Sequence, residues 1–545
     1  MNFNLTDEQR KVKGRVRAFA EKNIAPVSAK LDAESIFPLE IVEEMGKMGI
    51  MGQPFSVEEG GAGGDVLSYA IAVEELSRVD AGVGVILSAH VSLGSWPIHA
   101  FGTDAQKEKY LKPLAKGEKI GAFGLTEPNA GSDAGKTETM AVLDGDNYIL
   151  NGKKIFITNA DYADTYVVFA VTRPGIGTKG ISAFIVEKGW AGFTFGMHYD
   201  KMGIRSSATA ELLFKDVMVP KENLLGKEGE GFKIAMQTLE GGRIGIAAQA
   251  LGIAQGAYEK ALEYSTEREQ FGMPIARQQA ISFKLADMAT KIKAARLLVY
   301  NAAFLKEDNQ PYGMDSAIAK MYASDICLEV VNDAVQIFGG YGFIKGFAVE
   351  RMYRDAKICT IYEGTNEIQR VVISSGILGK DKKPGKEAVK PKENTRKKVV
   401  IKDGSAREKA EKFMGYMREE GLLSDDKELL VGIGLGLKEE KDILMIDELS
   451  TVMGAETGCS RPFAEERNWM PIDKFIGISG KRYKGDFYLA IGISGQIQHV
   501  AGIRETRIIA AINTDEKAPI AEQADYFIVG DMYDVVPELT ALLQG

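Results

Sequence analysis

The clearest capacity for chemistry lies in Ile358-Cys359-Thr360-Ile361-Tyr362-Glu363-Gly364-Thr365. Glu363 follows an apolar run and sits between an aromatic residue and a glycine. A carboxylate so placed loses part of its hydration, and its pKa rises toward the range useful to a general base. Gly364 lets the backbone turn tightly and lets a ligand come close. Most glutamates are solvated, so Glu363 taken alone reads as a helix cap or a surface side chain. Its companions reverse that reading. Gly124-Leu125-Thr126-Glu127-Pro128-Asn129-Ala130-Gly131-Ser132-Asp133 offers hydroxyls at Thr126 and Ser132 and an open backbone at Gly131. Ile155-Phe156-Ile157-Thr158-Asn159 sets Thr158 beside an aromatic face. Hydroxyl and amide donors around a flat aromatic wall suit a flavin ring, whose N5 and carbonyls need partners.

Composition narrows the field. With 545 residues, 45% of them apolar, the chain can pack two to four domains. A net charge of −9 argues against a general nucleic-acid binder. The three cysteines, Cys327, Cys359 and Cys459, lie far apart and give neither a disulfide framework nor a zinc ribbon. The four histidines are scattered, so no His-based metal site is expected. The polar N-terminus has no signal-peptide core, and no apolar run reads as long enough to span a membrane. A cytoplasmic protein is the expectation.

The elements that must position these groups change along the chain. Residues 1–120 read as helical: Thr6-Asp7-Glu8-Gln9 has capping-box spacing, and Val12, Val16, Phe19 and Ala20 recur at helical intervals. Glu59-Gly60-Gly61-Ala62-Gly63-Gly64-Asp65 lacks the ending of a Walker motif and reads as a loop before a helix from Leu67 to Arg78. Residues 121–230 read as a compact β-domain, with strands at 166–171 and 181–186 and turn signals flanking a short strand within 143–152. Residues 231–379 return to long helices. Residues 380–398 are a basic, apolar-poor stretch and read as a solvated linker. In residues 399–545, the apolar runs 429–434, 487–491, 507–512 and 526–529 fit buried parallel strands of a doubly wound α/β domain.

With Gln336-Ile337-Phe338-Gly339-Gly340-Tyr341-Gly342-Phe343 added to these motifs, residues 1–380 resemble the acyl-CoA dehydrogenase family, nearest its short-chain, butyryl-CoA branch. The resemblance implies an α-helical/β-barrel/α-helical fold, FAD and an acyl-CoA thioester as ligands, and Glu363 as catalytic base. Some members carry their base instead on the helix near Glu240-Gly241-Gly242-Arg243; here Gly242 holds that position, which leaves Glu363. By resemblance Ser132, Glu240, Arg243, Tyr362 and Gly364 meet the substrate. Phe123, Leu125, Thr126, Ser132, Phe156, Thr158, Thr365 and Glu367 meet the FAD. Arg268, Phe271 and Gln279, with Gln336 and Gly340, match residues that reach the FAD of a neighbouring subunit, which implies a homo-oligomer, a dimer of dimers. Gly346 departs from the family's acidic residue at that point.

Residues 425–545 resemble the FAD-binding domain of the electron-transfer flavoprotein alpha subunit. Cys459-Ser460-Arg461-Pro462, Gly477-Ile478-Ser479-Gly480-Lys481, Ile491-Gly492-Ile493-Ser494-Gly495-Gln496-Ile497-Gln498-His499, Asn513 and Asp531 carry it. Glycine-rich strand ends expose N–H groups to a pyrophosphate. The resemblance implies a second FAD per chain, held by Arg461, Ser479, Gly480, Ser494, Gln498, His499, Asn513 and Asp531. Ile478 and Leu435 depart from a usual glutamine and arginine. The expectation is short-chain acyl-CoA α,β-dehydrogenation, with electrons relayed through the second FAD to a redox partner such as an electron-transfer flavoprotein. The alternatives are an enoyl-CoA reductase running in reverse and a non-catalytic flavin electron carrier.

Overall fold

The computed structural model describes residues 4–378, 398–424, 426–477 and 480–544. They fall into two compact units, residues 1–382 and 383–545. The basic stretch 380–397, Ile478 and Ser479 lie outside the described residues.

The first unit opens with helices. Thr6 Oγ1 accepts from the Gln9 amide at 3.2 Å while the Gln9 side chain accepts from the Thr6 amide at 2.9 Å, the reciprocal cap that starts Asp7–Phe19. Asp65 caps Val66–Ser77 in the same sense, accepting from the Ser68 amide at 2.6 Å. The glycine-rich stretch before it is a series of turns. Ala81–Phe101 corrects the expectation about apolar runs: it is 21 residues long with a mean hydropathy of 1.3, enough to cross a membrane by length and composition. Its window is 89% buried within the fold, so here it is a core helix.

Between Gly121 and Leu225 lies an eight-stranded sheet. Met140–Asp144 and Asn147–Thr158 pair around Gly145-Asp146, as the first turn signal predicts. The second turn signal, Asn151-Gly152, is not a turn. It lies inside the twelve-residue strand at a register shift between Leu150 and Gly152. Gly152 has φ +150° there, and a Cβ would meet Thr139 Oγ1 at 2.5 Å, so the glycine serves a bulge in the pairing with Thr209–Pro220.

Three long helices follow, Gly231–Glu267, Gln279–Glu307 and Gly313–Phe338, then the shorter Ala348–Ala356 and Asn366–Ile377. A single apolar core runs from Val16 through the sheet to Cys359, which ties helices and barrel into one frame. That continuity lets a strand loop and a helix turn be held against each other without a hinge.

The second unit is a six-stranded, all-parallel sheet: Val399–Ile401, Tyr526–Val529, Ile508–Asn513, Phe487–Ile491, Leu429–Ile433 and Glu456–Cys459 in spatial order. Neighbouring residues feed opposite cores. Leu429, Val431, Phe487 and Leu489 pack in one cluster, while Leu430, Tyr488, Ala490 and Phe527 pack in the other. Burial on both faces produces the unbroken apolar runs of the sequence.

Candidate active site

Two left-handed residues form the turn that carries the candidate base. Glu363 has φ +53° and Gly364 φ +84°. Such a conformation is costly for a non-glycine residue and persists only where its surroundings hold it. They do: Gln369 Nε2 donates to the carbonyls of Glu363 at 3.1 Å and Gly364 at 2.8 Å, and Lys320 Nζ donates to the Gly364 carbonyl at 2.8 Å. Thr365 then caps Asn366–Ile377 by accepting from the Ile368 amide. Tyr362 is fastened by its hydroxyl to Gln249 Oε1, and Gln249 is itself anchored to the Ala81 carbonyl at 2.8 Å.

The Glu363 carboxyl is buried, and its Oε2 has no hydrogen-bond partner. Burial pushes its pKa up to about 7, against the pull of Arg243 and Lys320. It faces the backbone of Gly242: a Cβ on that glycine would stand 2.6 Å from Glu363 Oε2 and 3.0 Å from Leu93 Cδ2. Leu93 comes from the π-helical turn His90–Ser95. Arg243, one residue on, is buried with its Nε unpartnered, and burial lowers its pKa. Glu240 and Tyr312 complete the charged neighbourhood of that guanidinium. An unpartnered acceptor and an unpartnered donor lie within each other's electrostatic reach, an arrangement that suits a polar ligand.

On the barrel side, Thr126 and Thr158 are half-buried, and Ser132 is exposed on its loop. Phe156 has φ +58°, is 59% exposed, and its ring centroid lies 4.7 Å from that of Tyr199 with the planes tilted by 38°. Phe123 lies in the strand Gly121–Gly124 and Leu125 directly follows it. Both side chains are buried, Phe123 edge-on to Phe169, so only their backbone is left to meet a ligand. A buried ion pair supports that strand end: Lys154 Nζ lies 2.6 Å from Glu127 and 3.2 Å from the Leu125 carbonyl. Arg268, Phe271, Gln279, Gln336 and Gly340 are all exposed, Phe271 by 92% with φ +54°. Glu367 is exposed in the first turn of its helix. The threonine hydroxyls and open backbone N–H groups are donors, and the exposed Phe156 ring is an apolar face, a combination suited to a flavin.

The second unit holds a cavity of about 650 Å³ at the carboxyl ends of its parallel strands, where such sheets bind ligands. Arg461, Ser494, Gln498, His499, Asn513 and Asp531 all line it. His499 is buried and keeps its ring in place through Tyr488, whose hydroxyl lies 2.8 Å from Nε2; Nδ1 is unpartnered. Burial lowers the His499 pKa to about 4, so the ring is neutral at pH 7. Gly436 and Gly492 let two loops cross: a Cβ on either would meet the other's Cα within 3.0 Å. Asn513 and Asp531 brace the rim, donating to the Ile493 carbonyl and accepting from the Tyr533 amide. Gly480 packs on the Phe475 ring, where a Cβ would lie 2.3 Å from that ring, and stands outside the cavity lining. Arg461, in the lining, is exposed and ion-paired to Glu465 at 2.8 Å. Size, glycine cradle and an unpartnered buried nitrogen fit a second FAD.

The fold and these two sites define a dehydrogenase unit joined to a flavin-binding unit. Residues 6–118, 122–217 and 229–378 match the acyl-CoA dehydrogenase N-terminal, middle and C-terminal domains, and residues 424–504 match the electron transfer flavoprotein FAD-binding domain. The short-chain specific acyl-CoA dehydrogenase of Clostridium acetobutylicum is 58% identical over 378 residues, 69% of this chain and 100% of that protein. The acryloyl-CoA reductase (NADH) of Anaerotignum propionicum is 50% identical over 380 residues, 69% of this chain and 96% of that protein. The solved structure of butyryl-CoA dehydrogenase from Megasphaera elsdenii is 55% identical, with a TM-score of 0.69 over 69% of this chain and 100% of that one. The chain belongs to the acyl-CoA dehydrogenase family and carries an additional electron-transfer-flavoprotein-type FAD-binding domain.

Proposed function

We propose that the chain catalyses α,β-dehydrogenation of a short-chain acyl-CoA to the trans-2-enoyl-CoA, with Glu363 as the base. One observation carries this reading: a buried carboxylate with a pKa near 7, unpartnered at Oε2, at a position that only a glycine opposite leaves open. A base poised near the working pH is the form general-base catalysis requires. Glu363 takes the α-proton. The amide N–H of Glu363, which has no acceptor among the described residues, is offered to the thioester carbonyl, whose oxygen gains charge as the proton leaves. Arg243 nearby favours the ionised, proton-accepting form of the Glu363 carboxyl against the effect of burial. Thr126, Phe156 and Thr158 would hold a flavin, which would supply the hydride acceptor, and the C-terminal cavity would hold a second, which would supply onward electron transfer. Tyr362, Ser132, Glu240 and Gly364 bound the substrate. Arg268, Phe271, Gln279, Gln336 and Gly340, exposed on one chain, complete a neighbouring subunit's FAD site in a homo-oligomer.

A second reading is the reverse reaction, enoyl-CoA reduction fed through the C-terminal FAD. The acryloyl-CoA reductase relative favours it. Anaerobic mixing with butyryl-CoA and with crotonyl-CoA plus reductant tests both: rapid flavin bleaching by butyryl-CoA supports dehydrogenation, and neither reaction occurring refutes the enzyme.

A further inference from the structure

Lys320 lies on the helix Gly313–Phe338, within Ala317-Ile318-Ala319-Lys320-Met321, and is fully buried. A buried ammonium is expensive unless its donors are met. Here each acceptor belongs to one turn. Nζ donates to the Gly364 carbonyl at 2.8 Å and to Asn366 Oδ1 at 2.8 Å. Asn366 in turn donates to Ser324 Oγ at 2.9 Å and Asp325 Oδ1 at 2.7 Å, so the ammonium is clamped to its own helix as well. Gln369 grips the carbonyls of Glu363 and Gly364 from the far side. With those carbonyls tied down, planar trans peptides turn the Gly364 and Thr365 N–H groups the opposite way.

We infer that Lys320 is a positioning residue for Glu363: it fastens the strained turn on which the carboxyl stands and holds a positive charge within that carboxyl's field. The inference rests on Glu363 being the base. A fastener alone would need only a hydrogen-bond donor. The charge has its own consequence, because Lys320 and Arg243 are the two cations that oppose the effect of burial on Glu363. The other titratable groups facing this pair are Tyr69 from Val66–Ser77, Cys359 and Tyr362 from the turn, and Asp325 from the same helix as Lys320. Burial lowers the Lys320 pKa to about 8, so at pH 7 the ammonium is charged.

The test compares Lys320→Met, which removes donor and charge at similar volume, with Lys320→Gln, which is neutral but keeps an amide donor. Two readouts are taken on the FAD-loaded full chain. One is the infrared titration of the Glu363 carboxyl, identified as the band lost in Glu363→Gln. The other is the pH profile of flavin reduction by butyryl-CoA. Both variants are expected to raise the Glu363 midpoint and the acidic limb together by about one pH unit, a tenfold loss of rate below that limb. Lys320→Met is expected to lower the plateau further. Folded variants with unmoved midpoints overturn the inference, and so does failure of both to fold, which would make Lys320 a fastener only. If Glu363→Gln remains active, the proposed base is wrong, while the infrared midpoints still decide whether Lys320 acts on Glu363.

Discussion

Gly242→Ala separates catalytic geometry from stability. The new Cβ would lie 2.6 Å from Glu363 Oε2, whereas ordinary contact begins at 3.4 Å, so the carboxyl must retreat by about 0.8 Å or swing away. Leu93 Cδ2, at 3.0 Å, must give by a few tenths of an ångström as well. Both obstacles are the free ends of side chains, so the fold adjusts cheaply. Alanine also gains about 1 kcal/mol over glycine in a helix interior. The melting temperature is therefore expected to hold or rise. Proton abstraction has no such tolerance. A displacement near 1 Å costs on the order of 10²-fold, or ~2.7 kcal/mol of barrier. Stopped-flow flavin reduction by butyryl-CoA, with FAD content and thermal denaturation measured on the same preparation, gives the comparison. A rate within about threefold of wild type would refute the packing of Gly242 against the base. So would a rate loss matched by loss of FAD or of stability.

Burial raises the Glu363 pKa from 4.5 to about 7, and only the carboxylate accepts a proton, so the reduction rate should climb with pH and level off above about 7. A flat profile from pH 5 to 8 would contradict it. The same shift makes the folded state hold that proton more tightly than the unfolded chain. Its stabilising contribution is complete below pH 4.5 and is lost as pH rises through 7. Thermal denaturation of Glu363→Gln should therefore show a gain over wild type at pH 8 and none at pH 4. Extracted FAD should number two per full chain and one after deletion of residues 381–545, with the truncated protein still bleached by substrate; one FAD in the full chain would remove the second site. Arg461→Ala should lower the potential of the C-terminal flavin in spectroelectrochemistry; an unchanged potential with FAD still bound would reduce Arg461 to a surface ion pair with Glu465.

The candidate base was legible only through its company: taken alone Glu363 reads as a solvated glutamate, and the motifs at 124–133, 155–159 and 336–343 turn that reading. The parallel strands were equally legible, since burial on both faces leaves unbroken apolar runs. Glu456–Cys459 and Val399–Ile401 were not seen, the first because it reads Glu-Thr-Gly-Cys and the second because three residues carry too little pattern. Lys320 was missed for a different reason. A lysine inside a helical segment reads as a solvated face, and its acceptors lie more than forty residues away in sequence. Its one signal was the apolar company of Ala317, Ile318, Ala319 and Met321. Lys154 hid the same way within a strand, paired to Glu127 on the loop beside it. Gly152 misled because a bulge and a turn ask the same freedom of a glycine.

Anaerobic stopped-flow mixing of butyryl-CoA with wild-type and Glu363→Gln protein, both loaded with FAD, tests the proposed chemistry most directly. The expected result is rapid bleaching in the wild type and a loss of at least ~10²-fold in the variant, with acyl-CoA still binding as judged by perturbation of the flavin spectrum. Bleaching of Glu363→Gln at a near wild-type rate would contradict it.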